Sequence, residues 1–327
     1  MIADENGDNR LDIIDVIVLL YAVLKKKKRG VQKMHHFDAH YHLNPENYCQ
    51  RGGRIWKENI YNGNEMWKTW GETWTRNLEA NKTAIRRMPM LSSLYGSWSG
   101  HTALVVANGA STHRDMKKIA QAQSQGIHIV SVDRMHERLC DNGIFPDMTM
   151  TGDSSETVAD FFTRPPRDRD KFAVRSRTHP KVIELLKHTN CYAYEAADPW
   201  SPWARVVRDA FGVKIFACQD GAVTTFNCTG FCYWMGCDII GNIGNELSWK
   251  RGDPIDDVYK GLDFIMLDEE LGVATIQPFF VAAIANALFP VMYPEVEWID
   301  CGLGITSGWV KEPIEYLMQI HGEKREP

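Results

Sequence analysis

Residues 103–133 read ALVVANGASTHRDMKKIAQAQSQGIHIVSVD: an apolar run, a turn of small residues, an amphipathic segment and a second apolar run closing on an acid. The first run, 103–107, is apolar without alternation, the pattern of a strand buried on both faces of a parallel sheet. Asn108, Gly109, Ala110 and Ser111 form the turn, and Met116, Ile119 and Ala120 give the next segment a helical apolar face. The N–H groups at such a helix start lack intrahelical partners and lie at the positive end of the helix dipole, so a phosphate is their natural guest. The second strand, 127–132, ends at Asp133, where a carboxylate can accept hydrogen bonds from a ribose as in other doubly wound folds. The same strand–turn–helix unit also serves plain architecture.

Two further stretches extend the pattern. GIFPDMTMTGDSS (143–155) reads as a third strand carrying Asp153, Ser154 and Ser155 at its C-terminal end, the edge where ligands of open parallel sheets gather. DGAVTTFNCTGFCYWMGCDIIGNIGNELSW (220–249) places Gly221, Thr224 and Thr225 at the start of an apolar helix that leads into a strand at 237–240. Beyond these, 273–289 is expected as a buried helix and 295–299 as a last strand. A glycine-rich turn, 302–308, and a closing helix over 313–320 complete the expected fold.

Together these blocks resemble the family that joins the archaeal 6-hydroxymethylpterin diphosphokinase to the flagellar motility accessory factor glycosyltransferases. The usual Gly-x-Gly-Pro-Ser turn of that family stands here as Ala107-Asn108-Gly109-Ala110-Ser111, without its first glycine and its proline. The family's Pro-Asp, strand, Asp block is matched by Pro146, Asp147 and Asp153, and its Gly-x-Val-x-Thr helix start by Gly221, Val223 and Thr225. The resemblance covers roughly residues 100–310. It implies an α/β, Rossmann-like, mostly parallel sheet flanked by helices, and a transferase using ATP or a nucleotide-activated sugar. The pterin branch carries an acid-rich Asp-x-Asp-Gly element for Mg2+, where this chain offers Gly152, Asp153 and Ser154; the 221–249 block is closer to the glycosyltransferase branch. The expected activity is therefore glycosyl transfer from a nucleotide-sugar donor, with ATP-dependent pterin diphosphoryl transfer as the alternative. The acceptor would be a sugar, a protein hydroxyl or a pterin.

Both chemistries require negative charge on a phosphate to be stabilised by amides, cations or a metal. Sugar transfer also needs a base at the acceptor hydroxyl. Asp153 is the candidate for that base or for a metal ligand, with an N-cap as its plain structural role. His179, before Pro180 at a helix start, is the candidate acid or phosphate partner, with a capping or surface role as the alternative. The nucleotide-binding candidates are Asn108, Gly109, Ala110, Ser111, Asp133, Ser154, Gly221, Thr224 and Thr225. Trp67, Trp70 and Trp74 recur at helical spacing and read first as a packing stripe, second as an acceptor-binding cap with Trp56 and Trp98. An arginine-rich loop, 164–169, with Arg175 and Arg177 beyond it, could fork onto a phosphate or carboxylate, or simply lie exposed.

The N-terminus carries a separate signal. Asp4, Asn6, Asp8, Arg10, Asp12 and Asp15 fall at the ligand positions of a calcium loop, an oxygen cage suited to a hard cation. Asn9 stands where glycine is usual and tolerates the left-handed conformation better than most residues. Asp15 in place of glutamate, followed by an apolar helix over 16–24, makes the segment resemble one half of a dockerin repeat, which implies Ca2+ there. Lys25–Arg29 closes that helix as a solvated basic linker. Next, His35, His36, Asp38, His40 and His42 contain an Asp-x-His-x-His pattern similar to the first metal motif of amidohydrolases, a distant hydrolase alternative that would need an (α/β) barrel.

Composition sets the frame. The 327 residues suffice for a large core, and a net charge of −5 gives no chain-wide surface for nucleic acid. The longest apolar run, 13–24, is too short for a membrane span and is broken by Asp15, and the acidic start lacks the features of a signal peptide, so a cytoplasmic protein is expected. Eight cysteines in a chain of this size do not form a disulfide framework. Cys228 and Cys232, four apart on an apolar helix, read as small core hydrophobes. The expected organisation is a calcium-loop extension (1–30), a Trp-rich cap or linker (31–99) and a Rossmann-like transferase domain (100–327).

Overall fold

The computed structural model describes residues 45–196, 202–212, 216–218, 223–252, 264–268, 273–276, 279, 282–283, 286, 289–303 and 309–325, with 45–65, 196, 216–218, 264–268, 291–292 and 325 as backbone only. The expected calcium loop, the histidine-rich segment and Gly221 lie outside the described residues.

Among the described residues a nine-stranded parallel sheet organises the chain. In sequence its strands are β1 (Thr102–Val106), β2 (His128–Val132), β3 (Met148–Thr151), β4 (Lys171–Arg175), β5 (Asn190–Ala196) and β6 (Phe216–Cys218), then β7 (Ile239–Ile243), β11 (Glu297–Asp300) and β12 (Val310–Lys311). Their spatial order is β12-β11-β7-β1-β2-β3-β4-β5-β6. The chain thus winds outward from β1 to β6, returns through a helix to pair β7 on the other side of β1, and winds outward again. All five residues of β1 are buried, and Leu104 is flanked by Ile129 of β2 and Gly241 of β7. That environment accounts for its unbroken apolar run.

Helices flank the sheet. The turn after β1 opens α2 (Ala110–Arg114) and α3 (Met116–Ser124); β2 leads directly into α4 (Asp133–Asp141) and β4 into α5 (Pro180–Leu186). The helix α6 (Pro202–Phe211) separates β5 from β6, α7 (Thr224–Trp234) makes the return to β7, and α9 (Ile314–Arg325) closes the fold. Ten of the eleven residues of α7 are buried, Cys228 and Cys232 among them, so its sequence shows little amphipathicity.

Between β7 and β11 lies a small antiparallel sheet, β8 (Trp249–Lys250), β9 (Phe264–Asp268) and β10 (Val273–Ile276), in the order β8-β10-β9. Here the structure corrects the start of the expected helix over 273–289: Val273–Ile276 is a strand, while the described residues beyond it, Phe279, Ala282, Ala283, Asn286 and Phe289, are helical and, Phe279 apart, buried. Val273–Ile276 pairs with Phe264–Asp268, and its β-branched residues suit that pleated surface; a short helix, α8 (Phe289–Met292), forms at the far end of the stretch. Strand β11 is likewise not the last, because β12 adds beyond it at the sheet edge.

The Trp-rich segment is part of the core assembly. It belongs to α1 (Pro45–Arg87), whose buried face is Trp74, Asn77, Leu78, Asn81 and Ile85, a helical stripe with two amides in it. Trp67 and Trp74 meet Trp203 of α6, with Trp74 and Trp203 edge-to-face at 5.6 Å, while Trp70 stands 41% exposed. The amide nitrogen of Asn77 donates to the carbonyls of Ser154 and Arg177, and that of Asn81 to those of Ser176 and Thr178. These bonds satisfy irregular backbone after β3 and β4 that burial would otherwise leave unpaired.

Candidate functional site

The sheet reverses its winding between β1 and β7, and the C-terminal ends of those two strands form a crevice of the kind that holds ligands in open α/β sheets. Each wall is a turn built around a glycine. At Gly244, after β7, φ is +77°, and an added Cβ would strike the Ala107 carbonyl and the Thr112 hydroxyl. At Gly109, after β1, an added Cβ would strike the Glu246 carboxylate and the Gly244 carbonyl.

Ser111, wholly buried, joins the two walls. Its hydroxyl accepts from the Gly244 N–H at 3.0 Å and donates to Glu246 Oε1. Its own N–H donates to the same oxygen at 2.9 Å. An anionic oxygen therefore already occupies the cradle of small residues that the sequence marked for a phosphate, and it belongs to the chain itself. Glu246 Oε2 is buried with no hydrogen-bond partner, as are both polar side-chain atoms of Asn242 and the Nδ2 of Asn245. So many unpaired buried polar atoms in one strand end and its turn are costly in a folded protein unless a ligand or water meets them.

Across β7, Asp300 of β11 stands in register with Asn242. Its Oδ1 accepts from the Gly302 N–H at 2.9 Å and its Oδ2 pairs with Lys311 at 2.5 Å. Burial pushes this carboxyl above the usual range against the opposing pull of Lys311, and the neighbouring Glu246 adds to the rise. On the β1 side, desolvation lowers the His113 imidazole, and Arg138, 3.0 Å away, lowers it further. Val223, just before α7, packs against the small apolar cluster of Leu247, Ala282 and Ala283; of the residues that open α7, Thr224 is half-buried and Thr225 buried.

A second group of predicted residues collects after β3 and β4. Asp153 is exposed; its Oδ1 accepts from the Ser155 N–H at 2.8 Å, a local turn contact, and its carbonyl accepts from the His179 N–H at 3.0 Å. The two catalytic candidates are thus brought side by side. His179 is also the N-cap of α5, its Nδ1 accepting from the Lys181 N–H. Ser154 is buried, its hydroxyl accepting from Trp74 Nε1 at 3.1 Å. Asp133 is the first residue of α4 and 7% exposed. Its two oxygens accept from the Thr151 hydroxyl and the Arg134 N–H, both at 2.8 Å, and burial pushes its carboxyl up to about 6. Asn108, Gly109 and Ala110 line the open side of the β1 turn, with Asn108 and Ala110 exposed.

The arginines of 164–177 are largely engaged within the fold. Arg164 pairs with Asp141, Arg167 with Asp170, Arg175 with Glu195 at 2.8 Å in the interior, and Arg177 lies over the Trp74 ring at 3.9 Å. Glu246, Asn242, Asp300 and Lys311 were not singled out in the sequence. The only local hint of Glu246 is its place in the Gly-Asn-Glu that follows β7.

A parallel sheet that reverses at β1, with a turn at the reversal that holds the Glu246 carboxylate, defines a doubly wound α/β protein whose topological switch point lies between β1 and β7. Within that class the chain belongs to the 6-hydroxymethylpterin diphosphokinase MptE-like family, whose profile matches residues 72–252. Among solved structures it is similar in fold to the MAf glycosyltransferase from Magnetospirillum magneticum AMB-1, with a TM-score of 0.50 and 16% sequence identity. That similarity covers 76% of this chain and 41% of the other, so the chain spans less than half of that protein. No curated protein matches the chain. Among the described residues no helix is long and apolar enough to cross a membrane.

Proposed function

We propose that the chain is a nucleotide-dependent transferase that binds the phosphates of its donor at the β1–β7 crevice, and that it transfers a glycosyl group from a nucleotide-activated sugar. The observation that carries the reading is the Ser111 cradle, in which a backbone N–H and a hydroxyl converge on one anionic oxygen beside unpaired Asn242 and Asn245. In glycosyl transfer the departing nucleoside phosphate gains negative charge as the sugar–oxygen bond breaks, and fixed donors at that oxygen lower the barrier. Asp153 is the base for the acceptor hydroxyl. It lies two strands from β1, about 10 Å at the usual strand spacing, a span that a sugar diphosphate bridges. The fold neighbour's glycosyltransferase activity agrees with this assignment.

The alternative, diphosphoryl transfer to a pterin, is favoured by the description of the matching family. It would use the same crevice, with Mg2+ drawn to the exposed oxygens of Asp153; Asp133, with both oxygens engaged, is a poorer ligand. A thermal-shift panel of CMP, CDP, UDP, GDP, ADP and ATP, each with and without Mg2+, separates the two. A shift with CMP or a sugar-carrier diphosphate, lost in Ser111→Ala, supports glycosyl transfer. A Mg2+-dependent shift with ATP alone moves the assignment to diphosphoryl transfer, and no shift with any nucleotide refutes both.

A further inference from the structure

At the edge of the sheet away from the crevice, three side chains of different elements converge. His136 and Cys140 lie one turn apart on α4, and Asp170 immediately precedes β4. Their ligand atoms all fall within 4.8 Å of one another. His136 Nε2 is 3.4 Å from Asp170 Oδ2 and 3.9 Å from Cys140 Sγ. The first separation exceeds an ordinary N–H···O hydrogen bond, about 2.7–3.2 Å. Both are close to the edges of a tetrahedron about a zinc ion, about 3.3–3.6 Å for bonds of the usual length.

The surroundings suit such an ion. The other ring nitrogen of His136, Nδ1, is 2.8 Å from the Thr149 hydroxyl, which in turn meets Ser131 at 2.9 Å. That chain fixes the ring and leaves Nε2 to face the other two groups, the usual outer-sphere arrangement of a metal-bound histidine. Burial lowers the imidazole, favouring the neutral form that ligates a metal. Burial pushes the Asp170 carboxyl up, yet hydrogen bonds from Arg167 hold it below its usual range, so it is ionised. The three groups line a cavity of 150 Å³ that leaves room for a water as fourth ligand. A cation already serves the site: Arg167, its side chain 39% exposed, donates to Cys140 Sγ at 2.7 Å and to Asp170 Oδ1 at 2.9 Å, and its guanidinium lies over the Phe145 ring at 4.5 Å.

We propose that His136, Cys140 and Asp170 form a zinc site that ties α4 to the loop entering β4, with water in the fourth position. One nitrogen, one thiolate and one carboxylate make a borderline-soft set suited to Zn2+ rather than to the hard cations. On binding, the Cys140 thiol releases its proton to solvent as the zinc–sulfur bond forms, and Arg167 gives up its contact with the sulfur. The three groups lie where α4 meets the loop entering β4, outside the β1–β7 turns, and the proposal is independent of the transferase assignment.

The test uses the full chain, stripped by a chelator and titrated with Co2+ and then Zn2+. The expected result is a thiolate-to-cobalt charge-transfer band that saturates at one ion per chain, is displaced by Zn2+, and vanishes in Cys140→Ser. That variant should bind Zn2+ at least about tenfold more weakly, the lower end of what loss of even an outer-sphere partner costs. Asp170→Asn serves as a second variant, with the same direction. The band separates this site from ions held by His35, His36, His40 and His42, which offer no sulfur. Absence of the band in the unmodified chain overturns the proposal, as does its persistence in Cys140→Ser.

Discussion

If Glu246 stands in for a donor phosphate, removing it should strengthen nucleotide binding. A phosphate entering the Ser111 cradle must displace the Glu246 carboxylate from the Ser111 N–H and hydroxyl, because Gly109 already touches that carboxylate and no second anion fits beside it. Hydrogen bonds to a charged group contribute roughly 1.5–3 kcal/mol net. Glu246→Ala spares the donor that cost, which corresponds to roughly tenfold to a hundredfold in affinity at about 1.4 kcal/mol per decade. Glu246→Gln, which keeps the shape and loses the charge, should fall between. The assay is calorimetric titration with whichever nucleotide gives the largest thermal shift, repeated in a Ser111→Ala background, where the gain should shrink because the hydroxyl, one of the two donors to the Glu246 oxygen, is gone while the backbone N–H remains. Unchanged affinity in Glu246→Ala would refute the competition. A loss of affinity would refute it in a more informative way, by making Glu246 a group that holds the donor, for example through a sugar hydroxyl.

Three further outcomes follow from the same geometry. The Asp133 carboxyl is pushed to about 6 from an ordinary 3.8 by burial, so the folded state holds this proton more tightly than the unfolded chain does. Its effect on stability is most favourable below 3.8 and is lost as pH rises through 6; Asp133→Asn should flatten the dependence of the urea midpoint across that window, and an unchanged slope would remove Asp133 as its source. Glu195, wholly buried, accepts from Arg175 Nε at 2.8 Å, Trp203 Nε1 at 3.2 Å and Ser176. Glu195→Ala removes the buried carboxylate that pairs with Arg175 and should cost about 3–5 kcal/mol in denaturant unfolding, whereas a loss under about 1 kcal/mol would mean that water or the remaining neighbours compensate the arginine. Gly109→Ala forces the Glu246 carboxylate and the Gly244 carbonyl apart and should lower stability by about 1–3 kcal/mol, most of it restored in the double variant with Glu246→Ala if the carboxylate is the main obstacle.

What was legible in the sequence was whatever is encoded by neighbours along the chain. The run of β1 is apolar because both its faces are covered, the turn at Gly109 is small because another turn touches it, and His179 caps α5 because Pro180 follows it. Each leaves a local mark. The start of the helix expected over 273–289 shows where that logic fails, since Val-Ala-Thr-Ile is equally a helix face or a strand until Phe264–Asp268 is known to lie beside it. The site is split in the same way. Ser111 could be read from its turn, but Glu246 is 135 positions away and its role depends on β7 returning to β1 rather than extending the sheet beyond β6. The zinc cluster divides likewise: His136 and Cys140 share a face at a spacing of four, while Asp170 reaches them only because β4 is laid next to β3. In both places the chain writes one half of the site as a local motif and leaves the other half to the order of the strands. The sheet reversal at β1 is therefore the feature on which the chemistry of the crevice depends. A permuted chain that kept every local motif but paired β7 beyond β6 would retain the Ser111 turn and lose the carboxylate that answers it.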